Sequence, residues 1–327
     1  MRVAGSALLV ATIHLGCAAA LRAQPWVPPQ GEGTVSVTYQ NYYVVGHFDR
    51  QGHKNKNGAT HAKAMVATFD YALTDSVAIT ATLPFIATRY TGPPMYLVGG
   101  VPTFPGPLDD RSYHGTFQDL QVEVRRVWWA GPVAVAPLLG GTLPTHDYET
   151  HGEAVAGKHR REVQIGASAA PDLGAFLPKA YTHVRYALAV AERIDGFESV
   201  RSTIDLEGGY DLTARVAVRA LTTWQVAHKG PMIADLAAHD WAGHDRFIVA
   251  SYFNAGGGLT LSLTHDTELS AMWIGTISGR GGAHQARMLA VGLSWSFGSR
   301  MAGFPTVASA ATSGPSRSSR RGAGFGT

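Results

Sequence analysis

Histidine, aspartate and arginine are the residues of this chain whose spacing could do chemistry. Of fourteen histidines, His146, Asp147, His151 and His159 fall in one segment, and His239, Asp240, His244 and Asp245 in another. Imidazole and carboxylate together suit a divalent transition metal. If both segments meet in space, His146, Asp147, His151, His239 and His244 are the candidate ligands. Their spacing matches no established metal template. A hydrolase built on an extended segment needs a His-x-Ser pair, because residues two apart point the same way and the base then reaches its nucleophile. No His-x-Ser occurs; His114-Gly115-Thr116 and His265-Asp266-Thr267 come nearest. Nucleophile-elbow, phosphate-loop and paired-cysteine motifs are absent too. The sequence therefore names no catalytic residue and asks for no cofactor.

The charges are more regular. Asp119, Gln121, Glu123 and Arg125 alternate with Leu120, Val122 and Val124. His183 and Arg185 alternate with Val184, Tyr186 and Leu188; Arg201, Thr203, Asp205 and Glu207 with Ile204 and Leu206; Arg215 and Arg219 with Val216 and Val218. Period two sends successive side chains to opposite faces of a strand. A face of Val, Leu and Ile backed by a face of ions needs two solvents. A bilayer outside and a polar lumen inside supply them, because an Arg or Lys at the bilayer midplane costs about 2–4 kcal/mol. Asp119, Glu123, Arg125, Arg185, Arg201, Asp205, Glu207, Arg215 and Arg219 are accordingly assigned to a lumen, either as paired filling or as a selectivity lining.

About twelve strands would carry these faces. They are predicted near Thr34–Phe48, His61–Leu73, Val77–Tyr90, Thr116–Trp129, Val133–Leu143, Arg161–Ala170, Ala180–Arg193, Ser199–Tyr210, Arg215–His228, Arg246–Thr264, Glu268–Ser278 and His284–Phe297. A turn repeats between them. Tyr71-Ala72-Leu73-Thr74 running into Val77 returns as Tyr210-Asp211-Leu212-Thr213 running into Val216, and more loosely around Thr264. The intervening connections are mostly longer and polar, above all Thr91–Gly115 with its prolines. Tight turns at one end and long loops at the other describe an all-β, transmembrane, antiparallel up-and-down barrel of the bacterial outer membrane. Both termini then lie on the periplasmic side. Trp128, Trp129, Trp224, Trp295, Phe297, Tyr90 and Tyr210 stand near strand ends, where interfacial aromatics belong.

Composition agrees. Hydrophobic residues make up 45% and charged ones 16%, against about 25% charged in soluble domains. No apolar run after the first residues reaches the ~18 needed for a helical span. Residues 1–23 read as a secretory signal, with Arg2 before the apolar Ala7–Ile13. Cys17, the sole cysteine, follows Leu15-Gly16 and offers a lipid-anchor alternative, although His14 stands where that motif wants leucine. Residues 24–298 form the barrel, and 299–327 a basic tail of disordered composition. Signal and tail carry Arg2, Arg22, Arg300, Arg317, Arg320 and Arg321 and no acid. The body between holds more acids than bases, so the isoelectric point near 9.0 does not indicate nucleic-acid binding.

Several motifs resemble a known family. Leu83-Pro84-Phe85 after the first tight turn, Phe117-Gln118-Asp119-Leu120 leading into Val122–Arg125, and Leu143-Pro144-Thr145-His146-Asp147 are similar to segments of the outer-membrane channels named for the phenol-degradation meta pathway. The second lacks that family's glycines, and the third has His146 where it has glycine. The resemblance implies a barrel that passes small, hydrophobic or aromatic solutes, and no catalytic residues. Gly292-Leu293-Ser294-Trp295-Ser296-Phe297 resembles the closing-strand signal read by the barrel assembly machinery. Expected partners are this machinery, outer-membrane lipid and lipopolysaccharide, and a small solute. An outer-membrane lipid hydrolase and a loop-mediated binding or structural barrel are the alternatives.

Overall fold

Every alternating segment becomes a strand. The computed structural model describes residues 27–298 except positions 57, 93–95, 99–100, 104–106, 131, 175 and 233–242. The predicted signal and tail, at residues 1–23 and 299–327, lie outside the described residues. The wall strands are β1 (Gly33–Phe48), β2 (Ala59–Thr74), β3 (Val77–Thr91), β4 in two pieces (His114–Phe117 and Leu120–Arg126), β5 (Val133–Leu143) and β6 (Glu162–Pro171). They continue as β7 (Ala180–Ile194), β8 (Phe197–Asp211), β9 (Val216–Lys229), β10 (Ser251–Ser262), β11 (Thr267–Arg280) and β12 (His284–Phe297). Counting β4 from His114 to Arg126 across its break, each of the twelve is at least as long as the ~9–11 residues that cross a bilayer.

Neighbours in sequence pair antiparallel all the way round. β12 then returns to β1, with Gly33 opposite Phe297 and His47 opposite His284. The sheet is closed, and closure is what lets backbone amides survive in hydrocarbon, where no water is available to satisfy an open edge.

The repeated turn has one physical cause. Thr74 Oγ1 accepts the amides of Ser76 and Val77, at 3.2 and 3.0 Å. Thr213 Oγ1 accepts those of Arg215 and Val216, at 3.1 and 3.0 Å. Thr264 Oγ1 accepts that of Asp266 at 3.3 Å. A threonine hydroxyl thus closes each of these three turns, in the manner of short polar side chains that mimic a backbone acceptor. Two connections at the opposite end are also tight. Asp195 and Gly196 both have positive φ, 49° and 85°, as a two-residue hairpin loop of matching twist requires. Gly281 and Gly282 turn β11 into β12.

Sidedness follows the sequence period. Val35, Val37 and Tyr39 are exposed on the outer wall, while Ser36, Thr38 and Gln40 are buried inside. Ile204 and Leu206 lie outside; Arg201, Asp205 and Glu207 lie inside. Trp128, Trp295 and Tyr210 are exposed at strand ends, whereas Trp224, also exposed, pairs with Ile204 at the middle of β8 and so departs from the predicted girdle. Tyr90 departs from the predicted girdle. It shares parity with Ile86 and Thr88, and all three are buried in the interior.

Two strands differ from expectation. β4 is interrupted where Gln118 and Asp119 leave the ladder, and it ends at Arg126; Trp128–Ala130 pairs separately with the start of β5. β10 begins at Ser251 rather than Arg246, because His244–Phe247 forms a short helix, α1. The apolar run after it looks like strand sequence but packs inside the barrel. Ile248 and Val249 are 2% and 3% exposed.

Candidate functional site

The lumen has two chemically different walls. One is a ladder of ion pairs on β2 to β9. Nearest the tight-turn end, Arg125 donates to both carboxylate oxygens of Asp70, at 2.7 and 2.8 Å, and to Thr80 at 2.7 Å. Glu207 accepts from the Tyr181 hydroxyl at 2.8 Å and from Arg219 Nε at 2.8 Å. At mid-depth Arg185 donates to Glu123 at 2.7 Å and lies 3.5 Å from Asp205. Asp205 also accepts from Thr223 at 2.8 Å. Higher up, Arg201 forks onto Glu162, at 2.5 and 2.8 Å. Apart from Asp70, which is 21% exposed, these groups are almost wholly withdrawn from water, so each charge needs its partner.

The other wall is apolar. Leu221 on β9, Met272 and Ile274 on β11 and Met288 and Ala290 on β12 form one buried inward-facing cluster, with Tyr42 of β1 packed against it. Ala62, Ala64, Val66 and Ile86 of β2 and β3 form a second. Inward parity is therefore not uniformly polar.

Two outer connections fold into this lumen and meet. The first joins β5 to β6, residues 144–161. Its Ala156 packs against Ala62, Ala64, Val66 and Ile86. Asp109, on the connection between β3 and β4, latches it by accepting the Glu153 amide at 2.8 and 2.9 Å and the Ala154 amide at 3.0 Å. Thr88 donates to the Ala154 carbonyl. Tyr148 donates to Asp119 at 2.6 Å and accepts the His159 amide at 2.7 Å. The second connection joins β9 to β10. Its Ile248 carbonyl accepts Lys158 Nζ at 2.6 Å, and its Arg246 carbonyl accepts Arg160 at 3.2 Å. Arg246 in turn donates to the His159 carbonyl at 3.2 Å. Together these loops form a plug.

The plug is electrostatically strained. Burial, reinforced by Asp109, pushes the Glu153 carboxyl up to about 8. Both Glu153 oxygens lack a hydrogen-bond partner among the described residues. Burial raises Asp245 well above the usual carboxylate range; Glu153 and Asp109 add to this, and Lys158 opposes it. Lys158 is pushed well below the usual ammonium range by burial, then by Arg160 and Arg201.

No family model matches this chain, and no curated protein matches its sequence. Solved structures do. The chain is similar to the COG4313 outer membrane channel from Pseudomonas putida F1, with a TM-score of 0.60 at 14% identity over 84% of this chain and 98% of that one. It also aligns with the translocator domain of autotransporter NalP from Neisseria meningitidis, with a TM-score of 0.46 at 11% identity over 86% and 92% of the two chains. The first likeness, with closure and an apolar belt, decides the architecture. The chain has the fold of an outer-membrane β-barrel.

In this barrel, Asp119, Glu123, Arg125, Arg185, Arg201, Asp205, Glu207 and Arg219 all turn inward and are buried or nearly so. Arg215 does not. It sits in the turn before β9, exposed, because the ladder starts one residue later at Val216. The metal candidates separate. His146 bonds Thr116 and Thr145, at 2.8 and 2.9 Å. His151 pairs with Glu149 at 2.7 Å. Asp147 lies 3.6 Å from His159. His239 is outside the described residues, and His244 opens α1. Among the described residues no three such side chains gather as a metal site. Asp70, Glu162, Asp109, Glu153, Lys158 and Arg160 are not singled out by the sequence, because they lie at strand ends or in loops where period two gives no direction; Asp245, grouped there with the metal candidates, is instead a buried plug carboxyl. The apolar Ala154-Val155-Ala156 inside a polar loop was the available signal.

Proposed function

We propose that the barrel is a gated, non-enzymatic channel for small solutes carrying apolar surface. The observation that supports this is the two-sided lumen beneath the plug. An apolar stripe of Leu221, Met272, Ile274 and Met288 stands beside an ionic ladder in which each arginine holds a carboxylate. A path of this kind offers contact to a hydrophobic body without stranding a charge. The plug is held by hydrogen bonds and small side chains and is not part of the wall ladder, so it can leave while the wall stays closed. The likeness to an outer membrane channel agrees with this reading. Bilayer lipid and lipopolysaccharide against the outer belt, and the assembly machinery at β12, complete the proposed partners.

The test is conductance in planar bilayers. Intact protein is expected to be mostly closed with brief openings, and removal of residues 150–157 to give a several-fold higher, steady conductance. No conductance even without that segment would mean a filled structural barrel.

A further inference from the structure

Between the plug and the wall of β8 to β12 and β1 lies a narrow cleft, partly open to solvent, with a cavity volume of about 50 Å³. Its lining divides by chemistry. Ile248, Val249, Ala250 and Ala283 are apolar, and Tyr42 and Tyr252 supply rings. Lys158 and Arg201 bring basic side chains. The cleft continues the Tyr42 end of the apolar stripe.

The basic groups around it are partnered unevenly. Arg201 is fully engaged by Glu162. Arg160 spends its guanidinium on the Ser199 hydroxyl and the Arg246 carbonyl, both uncharged. Lys158 donates to one neutral carbonyl, that of Ile248, which leaves two of its three N–H bonds for other acceptors. The acid that acts on Lys158 from the second loop is Asp245, and burial with Glu153 and Asp109 nearby favours its neutral form. Arg160 and Arg201 thus lie among the carboxylates of Glu162 and Glu192, while burial disfavours the charge on Lys158 as it does on Asp245. Charging a buried amine is costly without a counter-ion, and an entering carboxylate, by pairing with Lys158, would offset that cost and favour its ammonium form.

We propose that this cleft binds a small monocarboxylate with an apolar body. The carboxylate sits on the Lys158 ammonium, and the body lies against Ile248, Val249 and Tyr42. This rests on the channel reading, since it names the solute class that the lumen would hold beneath its plug. Lys158 belongs to the plug and also touches the cleft, so ligand there bears directly on the segment that must move.

Hexanoate, hexan-1-ol and hexylamine share one tail and differ in head charge. Calorimetric titration of the purified barrel with each is expected to rank hexanoate at least tenfold above hexan-1-ol, with hexylamine unbound. Lys158→Met should abolish the hexanoate preference and leave hexan-1-ol binding unchanged, and Lys158→Arg should retain it. Equal binding of hexanoate and hexan-1-ol, no hexanoate binding, or an undiminished preference in a folded Lys158→Met barrel would each overturn the proposal. If Lys158→Met fails to fold, the three-ligand ranking on the native barrel decides alone. The channel reading is judged separately. Hexanoate binding in a barrel that never conducts would keep the site and remove the channel; conduction without hexanoate binding would do the reverse.

Discussion

Arg185 on β7 places Nη2 2.7 Å from Oε2 of Glu123 on β4, although β5 and β6 stand between those strands in the wall. The pair therefore spans the concave inside of the barrel. Both side chains are buried, at 7% and 6% exposure. Breaking a buried pair from one side strands the other charge and typically costs about 3–5 kcal/mol. Arg185→Met is expected to lower stability by that amount in urea titrations of the folded barrel. Glu123→Gln combined with Arg185→Met should recover part of the loss, because Asp205 is then the sole stranded acid. A loss under 1 kcal/mol in the single variant would show that water reaches the pair.

Glu153 makes the plug sensitive to pH. Its carboxyl is raised to about 8 in the closed lumen and returns to an ordinary value, near 4.3, once the loop swings into water. The closed state thus holds the proton more tightly. Its stability is full below the open-state value and declines as pH rises towards 8. Asp109, Asp245 and Tyr90 face the same carboxyl. Asp245 shifts in the same direction, and Lys158 acts oppositely at higher pH. Open probability in bilayers should rise between pH 5 and pH 8, and Glu153→Gln should flatten that rise. A native profile that is level, or falls with pH, would remove Glu153 as the cause.

The Asp109 latch can be tested without touching the wall. Asp109→Ala removes the acceptor for two loop amides. Each hydrogen bond to a charged group is worth about 1.5–3 kcal/mol. Steady conductance is expected to rise several-fold while resistance to urea stays near that of the native barrel. Unchanged conductance would place the closure in the second loop.

On the outer wall, Ile204 lies midway along β8 and is exposed to lipid. Ile204→Arg should cost about 2–4 kcal/mol, measured by equilibrium unfolding from vesicles. A negligible cost would argue that this face does not meet hydrocarbon.

The legible part of this molecule was the part written with period two. Ile204 and Leu206 against Asp205 and Glu207 carry their own directions, because a one-residue slip would turn every ion outward. Glu153 and Lys158 had no such frame. Their loop is polar and rich in histidine, and only tertiary packing against Ala62 and Ile86 brings it inside. Phe247-Ile248-Val249-Ala250 misled for the opposite reason. A short apolar run fits a strand and a buried loop equally well, and length alone could not separate them. Arg215 failed by one residue at a boundary, where ladder ends are least determined.

The seam between β1 and β12 joins residues that translation separates by nearly the full chain, Gly33 meeting Phe297. Such a wall has the most non-local contact a chain can make, and its formation must be slow. A nascent or truncated chain ending before His284 would present two raw margins to lipid, each amide there costing several kcal/mol. Incomplete copies are thus unstable by construction, and the cell receives either a whole cylinder or material fit for degradation.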